Sequence, residues 1–303
     1  AASDVYKRQH LALRVGYLGD AFHGSQIQPD VVTVQGELQR VLRSLGWWSD
    51  GEHTMILGSR TDAGVNVRRN GGLLTLDREL YEKIGDRKLV RAMADRLPDH
   101  LAVLDAIEVP EGWNPRLADR RVYRYRLEGM EGWWADDLER FQRHLDLFIG
   151  THDVRNFARM EEGKNPIRTV VSASPWSVGG RIVGFEIVGH SFLWNQVRRI
   201  AMAVHSMELG RLSEDEVRDA LERPEVPVDF GVAPAEWLIL WDVVWDTLPS
   251  VESPVRAMTW QPSPTRAEGA ERTMRRRWSA AASAEIEALL HHEWSALGRL
   301  HWS

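Results

Sequence analysis

The 303-residue sequence contains no cysteine. That absence removes a disulfide framework, thiolate catalysis, iron–sulfur ligation and every cysteine-based zinc site at once. Long apolar runs are missing too. No stretch approaches the ~18 to 20 apolar residues that a membrane-spanning helix needs, and the opening AASDVYKRQH lacks the apolar core of a signal peptide. A cytoplasmic protein without a membrane partner is expected. The eleven histidines are scattered without an HExxH pair. His291 and His292 are adjacent on a predicted helix and so point in different directions, and no metal site is expected. Lysine is scarce, since 34 of the 38 basic side chains are arginine. Arginine suits bidentate phosphate contact and base stacking, although codon bias or adaptation to salt would produce the same count.

What is present is ordinary for a folded protein, at 43% hydrophobic and 27% charged residues. The length admits one large α/β domain or two modest ones sharing a cleft. The formal net charge of −6 argues at first against a nucleic-acid partner, but its distribution matters more. Arginines cluster at Arg68-Arg69, Arg116 to Arg126, Arg198-Arg199 and Arg275 to Arg277, whereas acidic residues concentrate in helix-like stretches such as Ser213 to Glu222. The pattern fits a basic cleft on an acidic body.

Along the chain, Leu11 to Tyr17 reads as a strand and is followed by a Gly/Asp/Pro loop. A helix capped by Thr33 carries Leu38, Val41, Leu42 and Leu45 on one face and ends at Gly46. Met55 to Leu57 starts a strand that breaks at Gly58, Gly72 to Leu76 reads as another, Lys88 to Leu97 as a helix stopped by Pro98, and Leu101 to Val109 as a strand. The order β–α–β–β–α–β is that of a ferredoxin-like unit. From Arg121 the order returns loosely, with strands at Val122–Glu128, Val170–Trp176, Ile182–Val188 and Leu238–Trp245 and helices near Leu138–Phe148 and Phe192–Leu209. Two similar halves are expected over residues 10–110 and 111–248. Residues 249–303 follow as a proline-bearing linker, Pro249 to Pro264, and a helical extension with Ile286, Leu289, Leu290 and Trp294 on one face.

The segment with the most chemistry is Gly58-Ser59-Arg60-Thr61-Asp62-Ala63-Gly64-Val65. Small neighbours present the Asp62 carboxylate with room for a ligand, and Arg60 beside it can keep it ionised. On physics alone, an Asx-type turn with a local ion pair is the commoner explanation of such a segment.

The stretch SRTDAGV resembles the catalytic motif Gly-Arg-Thr-Asp-Ala-Gly-Val-His of the TruA family of tRNA pseudouridine synthases, and four further segments match in order. Phe22, Gly24, Gln26 and Gln28 resemble the family's Phe-x-Gly-x-Gln-x-Gln loop, followed by Thr33-Val34-Gln35-Gly36-Glu37-Leu38. Asn114-Pro115-Arg116 with Arg121-Val122-Tyr123-Arg124-Tyr125 resembles the tyrosine-bearing segment, and Ser191 to Ile200 (SFLWNQVRRI) the basic helix. Ala233-Pro234-Ala235-Glu236 resembles the entry to the last strand. The SFLWNQ variant is closer to archaeal and eukaryotic branches than to common bacterial ones.

The resemblance implies a pseudouridine synthase fold of the α/β (α+β) class: two ferredoxin-like halves forming a mostly antiparallel sheet, helices on its outer faces, and a central RNA-binding cleft. It implies cofactor-free and metal-free isomerisation of a flipped uridine in tRNA, by a homodimer, at anticodon stem-loop positions 38 to 40. Asp62 would be the catalytic aspartate, attacking C6 or C1′ or acting as a base. Tyr123 would stack on the target base, with Arg121 and Arg124 turned away from it. Arg198 would pair with the carboxylate, Leu238 would close the pocket, and Arg60 would hold the carboxylate, a phosphate or the extruded base. Phe22, Gln26, Gln28, Arg68, Arg69 and Arg199 are the expected further RNA contacts. Asn66 replaces the motif's His, Ser59 its Gly or Ala, and Trp237 the Gly after the glutamate. Two other readings stand beside this one. A non-catalytic tRNA-binding relative would have no need to keep Arg60, Asp62, Tyr123 and Arg198 together. A glycosidase or aspartic hydrolase would need a second carboxylate, and none stands out.

Overall fold

The computed structural model describes residues 7–249 and 272–299. Most of the proline-bearing linker, and the side chains of Arg275, Arg276 and Arg277, lie outside the described residues. Nine strands and six α-helices among the described residues place the chain in the expected mixed α/β class. They group into two compact units, each taken over its described residues. One is Ala1–Asp119 with Leu240–Arg256 and Glu287–Ser303, the other Arg120–Ile239 with Ala257–Ile286.

The first unit runs β1 (Arg8–Tyr17), α1 (Val34–Ser44), β2 (Met55–Leu57), β3 (Asn66–Asp77), α2 (Arg78–Ala94) and β4 (Leu101–Glu108). Its sheet has β1 between β4 and β3, with β2 also paired to β3, all antiparallel. The ferredoxin-like order expected from hydrophobic periodicity is present. Helix α1 begins where Thr33 Oγ1 accepts the Gly36 N–H at 3.2 Å, and it buries Leu38, Val41 and Leu42. Helix α2 starts ten residues before the expected Lys88, at Arg78. Gly85 (φ 66°, ψ 176°) breaks its turns, so only the later half has the apolar spacing of a helix, burying Leu89, Val90 and Met93.

Strand β3 departs most from expectation, starting six residues before Gly72. Its first residues, Asn66-Val67-Arg68-Arg69-Asn70, are all buried, and a buried polar run carries no strand periodicity to read. Arg68, 1% exposed, donates from Nε to Glu293 at 2.6 Å and lies 4.8 Å from the Trp241 ring centroid. Burial pulls its guanidinium's pKa down, and the Glu293 charge pushes it back up. Arg69 forms a two-pronged pair with Asp242 on β9 (Leu238–Val244), the strand on the other side of β3. Glu293 and Trp294 belong to α6 (Arg272–Arg299), and Trp294 Nε1 donates to the Arg68 carbonyl at 3.0 Å. A Cβ on Gly16 would stand 2.0 Å from that same Nε1, so glycine in β1 makes the space the ring occupies.

The second unit contains β5 (Arg120–Tyr125), α3 (Leu138–Asp146), β6 (Gly150–Asp153), β7 (Ile167–Val178), β8 (Arg181–Gly189), α4 (Gln196–Glu208) and α5 (Glu214–Glu222). Its strands run β5-β8-β7-β6, again antiparallel. The four-residue β6 was not expected. Helix α4 starts at Gln196 rather than at Phe192, because Asn195 takes a left-handed conformation (φ 62°, ψ 5°) that a helix cannot include. Helix α5 is fixed by a capping box between Ser213 and Glu216.

Two predictions follow from these burials. Replacing Glu293 by Ala leaves the Arg68 charge buried without its partner and is expected to cost about 3–5 kcal/mol in urea denaturation, much of it recovered in Arg68→Met/Glu293→Leu. The Tyr81 phenol is pushed up to about 12, first by burial and then by Glu108. A raised phenol pKa gives stability that is complete below ~10, the unfolded value, and lost as pH rises through 12. Absorbance at 295 nm on alkaline titration should show Tyr81 ionising late, and Tyr81→Phe should flatten the stability loss in that window.

Candidate active site

Asp62 lies in the loop that joins β2 to β3, two strands paired antiparallel. The loop is held on both sides of Asp62. On the incoming side, Asn70 Oδ1 accepts the Ser59 N–H at 3.2 Å and the Gly71 N–H at 2.9 Å, and its Nδ2 donates to the Ser59 carbonyl at 2.8 Å. Asn70 is wholly buried. Thr61 is clamped by Ser25: the Thr61 N–H donates to Ser25 Oγ at 3.0 Å, and the Ser25 N–H donates to the Thr61 carbonyl at 3.2 Å. The Tyr17 and Thr61 hydroxyls are 2.8 Å apart. On the outgoing side the Gly64 N–H donates to the Gly19 carbonyl at 3.0 Å. Asp62 itself is half-buried and Arg60 exposed.

The first two motif segments are therefore neighbours in space, since Gly24 and Ser25 lie directly against Thr61. Gln35 Nε2 donates to the Met55 carbonyl at 2.8 Å, tying α1 to the strand that feeds the loop. Asn66, where the family pattern has His, is buried, and its Oδ1 accepts the Gly19 N–H at 3.0 Å. The sequence reading missed Tyr17, Ser25 and Asn70 as supports. Asn70 is readable only as a buried polar residue, which no periodicity distinguishes from a surface one.

Three of the expected RNA contacts lie buried, and the other three are half-buried or exposed. Phe22 is 3% exposed, edge-on to Tyr17 at 6.0 Å and to His100 at 5.2 Å. Arg68 and Arg69 are buried in the ion pairs described above, so their guanidiniums already serve Glu293 and Asp242. Gln26 is half-buried. Gln28 is exposed, with Nε2 donating to the His23 carbonyl at 2.6 Å. Arg199 pairs with Asp229 at 2.7 Å, near the surface.

Tyr123, Arg198 and Leu238 belong to the second unit. Tyr123 is 8% exposed on β5 and meets the Phe192 ring edge-on at 5.3 Å. Strand period places Arg121 on its face, not turned away as expected, whereas Arg124 does point to the other side. Arg121 is buried, donates to the His190 carbonyl, and has its guanidinium's pKa lowered by that burial. In the first turn of α4, Arg198 donates from Nε to the Ala233 carbonyl at 2.7 Å and from an Nη to Asn195 Oδ1 at 3.1 Å. The Ala233 N–H returns a bond to the Arg198 carbonyl at 3.2 Å. The Tyr125 hydroxyl donates to the Pro234 carbonyl at 2.8 Å, and burial holds that phenol's pKa well above its ordinary value. The Ala-Pro-x-Glu segment thus anchors α4 and β5 together, and Leu238, 5% exposed, closes it with an N–H to the Ala235 carbonyl.

Trp237, where the pattern has Gly, covers Gly129 so closely that a Cβ there would stand 2.1 Å from its ring, and it lies 6.2 Å from Trp278 of α6. The neighbouring Arg126 is wholly buried between Glu128 and Glu285, with 2.8 Å to the latter. The unusual tryptophan accompanies the helical extension, whose start it packs against.

Asn70→Ala should remove the hydrogen bonds to the Ser59 N–H, the Ser59 carbonyl and the Gly71 N–H and cost about 1–3 kcal/mol. Hydrogen exchange at the Ser59 and Gly71 amides should accelerate with it, and unchanged protection there would contradict the role given to Asn70.

The family model described as tRNA pseudouridine synthase matches residues 145–246. Over 238 residues the chain is 37% identical to a tRNA pseudouridine synthase A of Methanocorpusculum labreanum, covering 78% of this chain and 80% of that protein. The protein of the same name from Thermococcus kodakarensis is 38% identical over 238 residues, with 77% and 84% covered. That from Pyrococcus furiosus is 34% identical over 241 residues, with 78% and 84% covered. With identities of this size over more than three quarters of its length, joined to the motif order, the chain belongs to the tRNA pseudouridine synthase A family.

Proposed function

We propose that the protein isomerises uridine to pseudouridine in tRNA, with Asp62 as the catalytic carboxylate. The reaction exchanges the C1′–N1 bond for a C1′–C5 bond, so substrate and product have the same atoms. N1 gains a proton, C5 gives one up, and no external oxidant or reductant enters the balance. A stacked uridine hides C6 and C1′, so the nucleoside must be turned out of the stem before any side chain reaches it. The observation that supports Asp62 best is the hold on its loop, with Asn70, Ser25 and Tyr17 fixing Ser59 and Thr61 before it and the Gly19 carbonyl taking the Gly64 N–H after it. A carboxylate that must meet a reacting atom needs a backbone that does not yield, and these hydrogen bonds supply one.

In this reading Tyr123 is the wall against which the uracil stacks, and its Phe192 contact fixes the ring plane. Arg198, held by Ala233 and Asn195, is the cation that steadies the carboxylate, and Leu238 is the apolar floor. Arg60, exposed beside Asp62, is assigned to the RNA backbone. The target uridines are those of the anticodon stem-loop, positions 38 to 40, and the working form is a cytoplasmic homodimer. The target positions and the homodimer rest on the family resemblance.

Purified protein should release tritium from C5-labelled uridine in such a tRNA. Asp62→Asn should reduce release below about one ten-thousandth, while tRNA affinity measured by filter binding stays within about threefold. Wild-type turnover in Asp62→Asn would remove the central assignment. Binding without any turnover in the wild type would favour the non-catalytic RNA-binding alternative.

A further inference from the structure

The segment before α4 turns a large ring outward where its neighbours are buried. Leu193 is 8% exposed, Gln196 1% and Val197 4%, yet Trp194 between them is 39% exposed. Its ring is already occupied on one side. The Arg159 guanidinium carbon lies 4.0 Å from the ring centroid, and the Arg159 N–H donates to the Trp194 carbonyl at 2.8 Å. The backbone bond fixes the spacing of the two segments. Arg159 is exposed, and among the described residues no carboxylate comes within ion-pair distance of it.

Folding alone does not explain this arrangement. Trp194 leaves 39% of its surface in water, and an arginine that serves only solubility has no need of a ring beneath it. A guanidinium 4.0 Å over an indole presents two things at once. Its outer face is a surface for a further planar group, and its rim N–H groups can donate to an anion. Unpaired RNA supplies that combination, because a splayed base is a planar π-system and the phosphates beside it are acceptors. The position matches such a use: Trp194 is two residues from Phe192, whose ring touches Tyr123, and four from Arg198.

We propose that Arg159 and Trp194 form a stacking platform for a nucleotide next to the target uridine, one that flipping leaves without its neighbour. The proposal rests on the uridine-isomerase reading above. The platform touches RNA but not the reacting atoms, so it acts on tRNA affinity rather than on bond exchange.

The test uses the full chain and an in vitro transcribed tRNA substrate, with Kd from filter binding, KM and kcat from tritium release, and Tm from thermal denaturation. Base–side-chain stacking of about the usual strength predicts that Trp194→Ala raises Kd and KM roughly tenfold. The change should fall on Kd and KM rather than on kcat, with Tm within ~2 °C of wild type. Trp194→Phe, which keeps a ring, should stay within about threefold. Arg159→Ala should match Trp194→Ala, and Arg159→Lys, which keeps the charge but not the plane, should recover less than half of the loss. Wild-type Kd in Trp194→Ala, or a fall in Tm with Kd unchanged, would overturn the platform. Full recovery in Arg159→Lys would overturn it too, since a point charge would then suffice. If the wild type turns over no uridine, the functional reading itself fails. Wild-type turnover with an unimpaired Trp194→Ala sinks the platform alone.

Discussion

Two adjacent arginines in the middle of a sheet set the terms for the first unit. Arg68 and Arg69 sit on β3 at 1% and 4% exposure, and a guanidinium cannot be left in such surroundings without a carboxylate. Their partners come from far along the chain, Glu293 from α6 and Asp242 from β9. Strand β3 therefore cannot reach its native burial until segments 173 and 225 residues away have arrived. Such pairs add little net stability over apolar packing, but they penalise every arrangement in which a partner is missing. The same strand contributes Asn70, so the support of the Asp62 loop inherits this condition.

Around Asp62, ordinary groups do the positioning. An asparagine amide, a serine hydroxyl and a tyrosine hydroxyl hold Ser59 and Thr61 ahead of it, and the Gly19 carbonyl takes the Gly64 N–H behind it. That division explains the motif's neighbours. Gly24 allows its chain to approach the Thr61 carbonyl, where an added Cβ would stand at 3.1 Å, and Ser25 meets the Thr61 backbone in both directions. In the second unit, Ala233 and Pro234 fill the corresponding role with carbonyls. They receive Arg198 and Tyr125, so the helix bearing the arginine and the strand bearing Tyr123 are fastened to one short segment.

Hydrophobic period and capping made much of the architecture legible before any coordinates. The Thr33 cap, the Leu38/Val41/Leu42 face and the β–α–β–β–α–β order all reappear, because each depends on contacts a few residues apart or on a repeating face. Errors fell where a local rule met a tertiary demand. The start of β3 was missed because its buried residues are charged, α2 because Gly85 divides its pattern, and the start of α4 because Asn195 is left-handed. Phe22, Arg68 and Arg69, expected as RNA contacts, lie buried, because a sequence shows that a ring or a cation is present but not what the fold places against it.

The sequence by itself determined the family of this protein. Five motif segments in family order, with Arg60, Asp62, Tyr123 and Arg198 among them, carried that assignment, since side-chain identity and motif order are properties of the chain alone. Only the tertiary structure decided which cations remain on the surface. It sank Arg68 and Arg69 into ion pairs with distant carboxylates and stacked Arg159 on an outward-facing tryptophan. Burial and pairing depend on what the fold brings alongside, and charge in water and charge in a core differ by several kcal/mol per group.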